Sequence, residues 1–235
     1  GNPEKNDVFY QMKECIAGMA RACRDFKIPV ISGNVSLYNE TMGEAVYPTP
    51  VVGMVGLIQD VSRYCTSAFK HKGDVALLLG DINPADGTLS GSEYMCLLHK
   101  QVRGNISIDL KLEKRLQRCC LEAVRRGLLN SAHDCSDGGL LVCLAESCIQ
   151  GKIGLTCDEI KPSGRLDSMF FGEAQSRIVV SVSPQKAGKL LSLAQKLDVP
   201  VLKLGITGGD RLFIKDYLNV SLTRIGDAWL GGLIK

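Results

Sequence analysis

The segment DVALLL at residues 74–79 places five apolar side chains in a row after one acidic residue, which predicts a buried strand. Downstream of it, apolar strand-like runs alternate with helical patterns. Further strands are predicted at 130–134, 153–158, 177–183, 200–206 and 211–215. Helices are predicted at 92–100, 110–126, 139–150 and 185–197. This alternation predicts a two-layer α/β or α+β domain.

Upstream of this segment the pattern is different. Residues 7–26 carry apolar side chains at steps of three and four, which predicts one amphipathic helix. Short strands are predicted at 28–32 and at 51–58, where VVGMVGLI is apolar almost throughout, as a strand buried on both faces would be. The stretch 62–72 is polar and ends in a basic cluster, so we expect a domain boundary there.

The chain of 235 residues has an ordinary globular composition, with 45% hydrophobic residues, 23% charged residues and a net charge of +3. This apolar content argues against intrinsic disorder. No apolar run reaches about 18 residues, which argues against a membrane span, and the small net charge argues against nucleic acid as a partner. Ten cysteines without a C-x-x-C spacing are interpreted as reduced thiols and not as zinc ligands. The start at Gly1, without Met, indicates a fragment or a processed product.

The first candidate site is the loop SGNVSLYNE at residues 32–40. Gly33 permits a ligand to approach the backbone closely, and Asn34 and Ser36 supply oxygen atoms and donors without a bulky charge. Such a loop suits phosphate or Mg2+, because Mg2+ prefers hard oxygen ligands. The alternative is an ordinary turn in which the Asn and Ser side chains form local hydrogen bonds.

The second candidate is HDCSDGGL at residues 133–140, which follows a predicted strand and begins a predicted helix. Gly138 and Gly139 leave free backbone N–H groups at the helix N-terminus, where anions commonly bind. Asp134 and Asp137 are candidates for holding a cation, and Asp137 is also a candidate helix cap. His133 is either a general base or a hydrogen-bonded structural histidine.

The third candidate is FGEAQSR at residues 171–177, at the entry to a predicted strand. It places Glu173, Gln175, Ser176 and Arg177 together. The alternative is a solvated loop with a Glu–Arg pair of little energetic value. A fourth small polar corner is GSEY at 91–94. The chain contains neither a P-loop motif nor a nucleophile elbow, which argues against P-loop and hydrolase chemistry.

Five sequence blocks carry a resemblance to a known family. They are GNPEK at 1–5, SGNVSLYNET at 32–41, YPTPVVGMVGLI at 47–58, HDCSDGGL at 133–140 and FGEAQSR at 171–177. In this order and spacing they resemble the C-terminal third of the phosphoribosylformylglycinamidine synthases, in the synthetase subunit of the small multi-subunit type. The resemblance covers essentially the whole chain. The block at 133–140 is shared with the wider aminoimidazole ribonucleotide synthetase-like superfamily.

The resemblance implies a duplicated synthetase, of which this chain is part of the second repeat. Residues 1–66 would be the end of a barrel-forming N-terminal synthetase domain, and residues 67–235 a complete two-layer C-terminal synthetase domain. The ending AWLGGL at 228–233 resembles the natural C-terminus of the family. Most of the catalytic machinery would lie in the first repeat, so no catalytic residue is assigned in this chain.

The activity implied by the resemblance is an ATP-dependent, amidine-forming carbon–nitrogen ligation in purine biosynthesis. Formylglycinamide ribonucleotide is converted to formylglycinamidine ribonucleotide with ammonia derived from glutamine. This implies ATP as co-substrate, Mg2+ as cofactor, a cytoplasmic location, and a glutaminase subunit and a small accessory subunit as partners. By matching position, Gly33 would contact ATP, Asn34 would bind Mg2+ and Ser36 would contact the substrate.

The blocks at 133–140 and 172–177 match, by internal symmetry, substrate-binding blocks of the first repeat. In the second repeat they would line an auxiliary nucleotide site or serve the structure. The residues concerned are His133, Asp134, Asp137, Gly138, Gly139, Glu173, Gln175 and Ser176. Two other functions stay open: a non-catalytic nucleotide-binding or assembly module, and another ATP-dependent enzyme of the same superfamily. The chain alone is expected to be inactive and to self-associate through the strand at 51–58.

Overall fold

A computed structural model of the chain describes residues 1–82, 86–158, 160 and 164–232. Leu233, which belongs to the AWLGGL block, lies outside the described residues. The chain divides into two compact units, Gly1–Gln59 and Asp60–Lys235, which are described separately below. The family-based assignment of 1–66 and 67–235 to two types of synthetase domain stays a prediction.

The first unit contains one long helix and one small hairpin. Helix α1 spans Asn6–Phe26, so the helix predicted at 7–26 is confirmed. Strands β1 (Glu40–Thr41) and β2 (Glu44–Ala45) pair antiparallel. The two loop residues between them, Met42 and Gly43, have φ angles of 54° and 83°. Positive φ at both positions gives the turn twist that suits a two-residue hairpin.

Two predictions for the first unit are wrong. Neither 28–32 nor 51–58 is a strand, and their apolar side chains are exposed: Ile31 is 91% exposed and Val55 is 98% exposed. A strand satisfies its backbone groups only by pairing with a neighbouring strand. The described residues of this unit form one hairpin of two-residue strands, which offers no such neighbour. Apolar composition alone therefore does not make these segments strands.

The second unit is built on a seven-stranded sheet with the strand order β4-β6-β3-β7-β5-β8-β9. Its strands are β3 (Val75–Gly80), β4 (Ser131–Asp134), β5 (Leu155–Cys157), β6 (Arg177–Val182), β7 (Val201–Thr207), β8 (Arg211–Ile214) and β9 (Leu218–Ser221). All neighbouring pairs are antiparallel except β5 and β8, which are parallel. The sheet is therefore mixed. The strands predicted for this unit are confirmed, whereas the sequence pattern does not predict β9.

Helices cover both faces of this sheet. The helices of the unit are α2 (Glu93–His99), α3 (Leu110–Arg125), α4 (Gly139–Gly151), α5 (Leu166–Phe171), α6 (Pro184–Lys196) and α7 (Leu222–Gly231), with a 3-10 turn at Asp86–Leu89. Ala76 and Leu78 of β3 pack in one core cluster with α4 and α5. Leu77 and Leu79 pack in the other with α3 and α6.

The α/β class is confirmed, but the layer count differs from the predicted two. Successive strand side chains point to opposite faces, and β3 is apolar on both faces. Each face therefore needs its own helical cover, and the unit has three layers. Helices α5 and α7 are also absent from the sequence predictions. No closed barrel is formed by the described residues.

Two further properties of the described residues bear on the sequence predictions. None of their helices combines the length and apolar character needed to cross a membrane. All ten cysteines are free thiols. Five of them are buried, and burial raises the pKa of Cys148 and of Cys157 to about 12. The thiols of Cys148 and Cys157 therefore stay protonated at neutral pH and pack as small apolar side chains.

We expect the chain to self-associate through the segment 51–58. Six of its apolar side chains are more than half exposed: Val51, Val52, Met54, Val55, Leu57 and Ile58. Apolar patches of this kind favour association because contact removes them from water. Light scattering should therefore report a dimer or a larger species, and the double change Val55→Lys with Leu57→Lys should shift it to monomer.

The matched control is the double change Leu97→Lys with Leu98→Lys, at two exposed positions of α2 in the second unit. This control should leave the association unchanged. A wild-type chain that is monomeric at high concentration would contradict the prediction.

Candidate functional site

In the first unit, the blocks GNPEK and SGNVSLYNET lie against each other. The backbone N–H of Tyr38 donates to the carbonyl oxygen of Gly1 at 3.0 Å, and the Tyr38 hydroxyl donates to Glu4 Oε1 at 3.4 Å. Lys5 Nζ lies 3.9 Å from Glu40 Oε1. Tyr38 has a φ of 60°, a left-handed conformation that turns the chain back toward Gly1. Two sequence blocks that are separated along the chain by all of α1 therefore form one local structure.

The loop residues Gly33, Asn34 and Ser36 are exposed. A Cβ atom at Gly33 would meet no heavy atom within 4 Å, so a ligand has room to reach this backbone. An Asn carbonyl and a Ser hydroxyl are oxygen ligands of the kind that Mg2+ accepts. The described residues contain no group of three His, Cys, Asp or Glu side chains that could hold a metal. The side-chain oxygens of Asn34 and Ser36 are therefore the candidate ligands that this loop offers.

In the second unit, three of the polar sequence blocks meet at Glu173. The Oε1 atom of Glu173 accepts hydrogen bonds from the backbone N–H of Gly138 at 2.8 Å and of Glu93 at 2.9 Å. The backbone N–H of Glu173 donates to the Thr88 carbonyl at 3.0 Å. One carboxylate thus ties the block at 171–177 to the block at 133–140 and to GSEY at 91–94. No motif in the sequence indicates the part that Thr88 plays.

Glu173 supplies an anion to the N-terminus of α4. Gly138 is the N-cap of this helix and makes no side-chain cap hydrogen bond, so the predicted alternative of Asp137 as the cap is wrong. Gly138 and Gly139 have φ angles of 77° and 72°, and in this turn the Gly138 N–H donates to the Glu173 carboxylate while the Gly139 N–H donates to the Ser136 carbonyl oxygen at 3.0 Å. The positive end of a helix stabilises a negative charge. The Glu173 carboxylate therefore lies where the sequence predicts that an external anion binds.

The backbones at this junction approach too closely for side chains. A Cβ atom on Gly139 would lie 2.6 Å from the carbonyl oxygen of Gly172. A Cβ atom on Gly172 would lie 2.2 Å from the Ser168 carbonyl oxygen and 2.4 Å from Thr88 Oγ1. The glycines are needed here because α4 and α5 pack backbone to backbone.

Arg177 does not form the solvated pair with Glu173 that was the alternative interpretation. Only 2% of the Arg177 surface is exposed. Its guanidinium donates to the carbonyl oxygens of Gly172 at 3.2 Å and Met169 at 3.1 Å, at the C-terminus of α5. A cation at this end of a helix is favourable and satisfies carbonyls that the helix leaves unpaired.

His133 is held between two carboxylates. Its Nε2 lies 2.9 Å from Glu146 Oε2, and its Nδ1 lies 3.6 Å from Asp134 Oδ1. The Ser136 hydroxyl donates to Asp134, and this hydrogen bond is the main cause that holds the pKa of Asp134 below its usual range. This arrangement favours the structural interpretation of His133, because both ring nitrogens face a carboxylate of this chain.

Gln175 and Ser176 also have partners within the chain. Gln175 Nε2 donates to the carbonyl oxygen of Glu173 at 3.3 Å. Ser176 is buried with a φ of 63°, and its carbonyl oxygen accepts from the backbone N–H of Asp81 at 2.8 Å. The structure therefore brings the predicted residues of the second and third blocks together, whereas the loop at 33–36 belongs to the other unit.

We expect Glu173→Ala to lower the free energy of unfolding of the second unit by about 2–3 kcal/mol, because two N–H groups lose a charged acceptor. Glu173→Gln retains an amide oxygen and should cost about half as much. Urea denaturation followed by fluorescence or circular dichroism measures both. Glu113→Ala is the control, since the Glu113 carboxylate accepts a hydrogen bond from the exposed Gln117 within the same helix. Equal effects of Glu173→Ala and Glu113→Ala would show that the bridge is energetically unimportant.

Comparison with protein families gives two matches. The model for the AIR synthase related protein, N-terminal domain, matches residues 1–58. The model for its C-terminal domain matches residues 71–215.

Curated relatives extend this likeness to the whole chain. The phosphoribosylformylglycinamidine synthase subunit PurL of Thermomicrobium roseum is 46% identical over 100% of this chain and 32% of its own length. PurL of Caldanaerobacter subterraneus subsp. tengcongensis is 44% identical over 98% of this chain and 32% of its own length. The chain thus spans about a third of the length of the curated relatives it matches.

Solved structures share the fold. Thermotoga maritima PurL complexed with FGAR gives a TM-score of 0.59 at 23% identity, covering 70% of this chain and 30% of that chain. The complex of the same protein with ATP gives a TM-score of 0.54 at 22% identity, and the match covers 70% of this chain and 27% of that chain. The PurLQS structure from this organism gives a TM-score of 0.54 at 22% identity, and the match covers 70% of this chain and 28% of that chain.

Proposed function

Because the chain belongs to the AIR synthase-related protein family, we propose that it forms part of the synthetase subunit of a phosphoribosylformylglycinamidine synthase. The observation that carries this proposal is the 46% identity to a PurL subunit across the entire chain. The resemblance drawn from the five sequence blocks is confirmed by these relatives. The alternative of another ATP-dependent enzyme of the superfamily is disfavoured, since the curated relatives described above are PurL subunits.

The proposed reaction is the ATP-dependent conversion of formylglycinamide ribonucleotide to formylglycinamidine ribonucleotide in purine biosynthesis. Complexes of Thermotoga maritima PurL with ATP and with FGAR support ATP as the co-substrate and the ribonucleotide as the substrate. Ammonia derived from glutamine as the nitrogen donor, the ligase class and a cytoplasmic location are part of the same proposal. A glutaminase subunit and a small accessory subunit are the proposed partners, which the PurLQS assembly of that organism supports.

In this proposal the exposed loop of the first unit is the part of the chain that meets the ligands. Gly33 would contact ATP through its backbone, Ser36 would contact the substrate, and Asn34 would offer its carbonyl oxygen to Mg2+. A bound Mg2+ would supply charge neutralisation for the phosphate groups. Its remaining ligands would come from other parts of the full-length protein. The contact between the blocks at 1–5 and 32–41 supports a fixed position for this loop.

We propose a structural role for the blocks at 133–140 and 172–177 in the second repeat. The alternative was an auxiliary nucleotide site. Both N–H groups that would bind a phosphate already have acceptors in this chain: the Gly138 N–H donates to Glu173 Oε1, and the Gly139 N–H donates to the Ser136 carbonyl oxygen. We also propose that residues 1–66 are the end of a barrel-forming N-terminal synthetase domain and 67–235 a C-terminal synthetase domain of this second repeat. The separation of the chain into two compact units supports this division.

The test is an assay of ADP release by a full-length protein that carries this sequence. Release should depend on formylglycinamide ribonucleotide and on either ammonia or a glutaminase subunit with glutamine. The chain alone should release no ADP. Nucleotide binding by the full-length protein without any substrate-dependent turnover would instead support the non-catalytic module.

A further inference from the structure

Two helices of the second unit concentrate positive charge. Residues 110–126 and 184–196, which contain α3 and α6, hold nine Lys or Arg side chains and two Glu side chains, a net charge of +7. The whole chain carries +3, so all other residues together are negative. Because α3 and α6 pack on the same face of the sheet, this charge lies on one outer surface of the unit. The proposed function does not use this surface.

A groove lies along α6 beside the end of α3, lined by α6 residues and by Arg126 and Leu128, which follow α3. It has a volume of about 550 Å³. Lys186 Nζ donates to the Gly127 carbonyl oxygen at 2.8 Å, and Arg115 Nη2 lies 3.4 Å from Asp198 Oδ2. These contacts join the C-terminus of α3 to the N-terminus of α6 and the N-terminal half of α3 to the turn after α6. The two helices are therefore tied together at both ends.

The groove has an apolar floor and a cationic rim. Leu128 and Leu193 line it and are buried. Lys189 and Lys196 stand on the rim, and neither has a described carboxylate within 4 Å. They are seven residues apart on α6, so their Cα atoms lie on one helix face about 10 Å apart. Among the described lining residues there is no carboxylate.

Gly188 lies in the wall of this groove, inside α6. A Cβ atom at this position would meet no heavy atom within 4 Å, so packing does not require glycine here. Glycine inside a helix costs roughly 0.5–1 kcal/mol relative to alanine. Glycine therefore lowers helix stability here without a packing reason, and this part of the groove wall carries no side chain.

We propose that the groove along α6 binds an acidic, amphipathic segment of a partner protein. Carboxylates of the segment would pair with Lys189 and Lys196, and its apolar side chains would pack on Leu128 and Leu193. Complementary charge favours such a partner over a neutral or basic one. Single-stranded nucleic acid is disfavoured because the described lining of the groove has no aromatic side chain for base stacking.

The test uses the 235-residue chain and a synthetic probe. The probe is a fluorescein-labelled helical peptide of about 14 residues, or roughly four turns, with Glu along one face and Leu along the other. Fluorescence anisotropy should show saturable binding that weakens with added salt, because exposed ion pairs are screened. The double change Lys189→Glu with Lys196→Glu should weaken binding at least about tenfold. Gly188→Leu should cause a similar loss by filling the groove without changing its charge.

The matched control is Lys152→Glu with Lys215→Glu, which makes the same change in net charge at exposed lysines outside the groove. It should change binding by less than about twofold. Melting curves of every variant verify that the protein is folded. The proposal is overturned if the peptide does not bind, if both charge-reversed proteins bind it equally, or if poly-glutamate without an apolar face binds as well. It is also overturned if an RNA oligomer of equal charge binds more tightly at the same residues.

Discussion

Asn34→Ala should lower the turnover of a full-length synthetase carrying this sequence at least about tenfold, because the loss of one metal or transition-state contact of about 1.4 kcal/mol has this effect. Folding should barely change, since Asn34 is exposed and contributes nothing to either core cluster. ADP release at varied Mg2+ concentration, with a melting curve alongside, measures both properties. A shift of the Mg2+ dependence toward higher concentration would identify the lost contact as one to the metal.

The control is Asn105→Ala, which removes the same chemical group from an exposed position in the second unit. Its turnover and melting temperature should match those of the wild type. Unchanged turnover of Asn34→Ala would remove the proposed metal role. A fall in melting temperature in proportion to the lost activity would support the ordinary structural turn.

Gly139→Ala should destabilise the second unit by about 3 kcal/mol. The change combines a left-handed φ of 72° with a Cβ atom 2.6 Å from the Gly172 carbonyl oxygen. Left-handed backbone costs a non-glycine residue about 1–2 kcal/mol, and overpacking adds roughly 1–3 kcal/mol. Relief of the overlap requires α4 and α5 to separate, which also weakens the hydrogen bond from Gly138 to Glu173. Urea denaturation gives the loss directly.

Gly226→Ala provides the comparison for this prediction. Gly226 lies inside α7, and a Cβ atom there would meet nothing within 4 Å. Alanine should therefore stabilise the helix by about 0.5–1 kcal/mol. If Gly139→Ala were as stable as the wild type, the close approach of α4 and α5 would not be a requirement of the fold.

The core of the second unit was predictable because its signals are local. The apolar run at 74–79 and the amphipathic patterns of α3, α4 and α6 need no distant partner to be recognised. The predicted helix at 110–126 therefore agrees closely with the observed Leu110–Arg125. The prediction for 51–58 is wrong for the opposite reason, because a strand exists only where another strand pairs with it.

For the candidate sites too, local sequence predicted some features and not others. Small polar residues at the ends of predicted elements identified the blocks at 32–41, 133–140 and 171–177, and together with the blocks at 1–5 and 47–58 they identified the family. No sequence pattern indicated that Glu173 accepts hydrogen bonds from the backbone N–H groups of Gly138 and Glu93. Likewise, no pattern indicated that Arg177 is buried against the end of α5. The contact between Glu93 and Glu173 joins residues 80 positions apart in the chain.

Local signals in the amino-acid sequence were sufficient to predict the α/β class, the long helices, the buried strands of the second unit and the family. Each of these follows from side-chain periodicity or from an ordered set of short motifs, which are properties of neighbouring residues. The strand order, the three layers, the partners of Glu173 and the basic groove along α6 are visible only in the folded structure. These depend on which surfaces meet after the chain folds, because hydrogen bonds and charge pairs are set by distance in space.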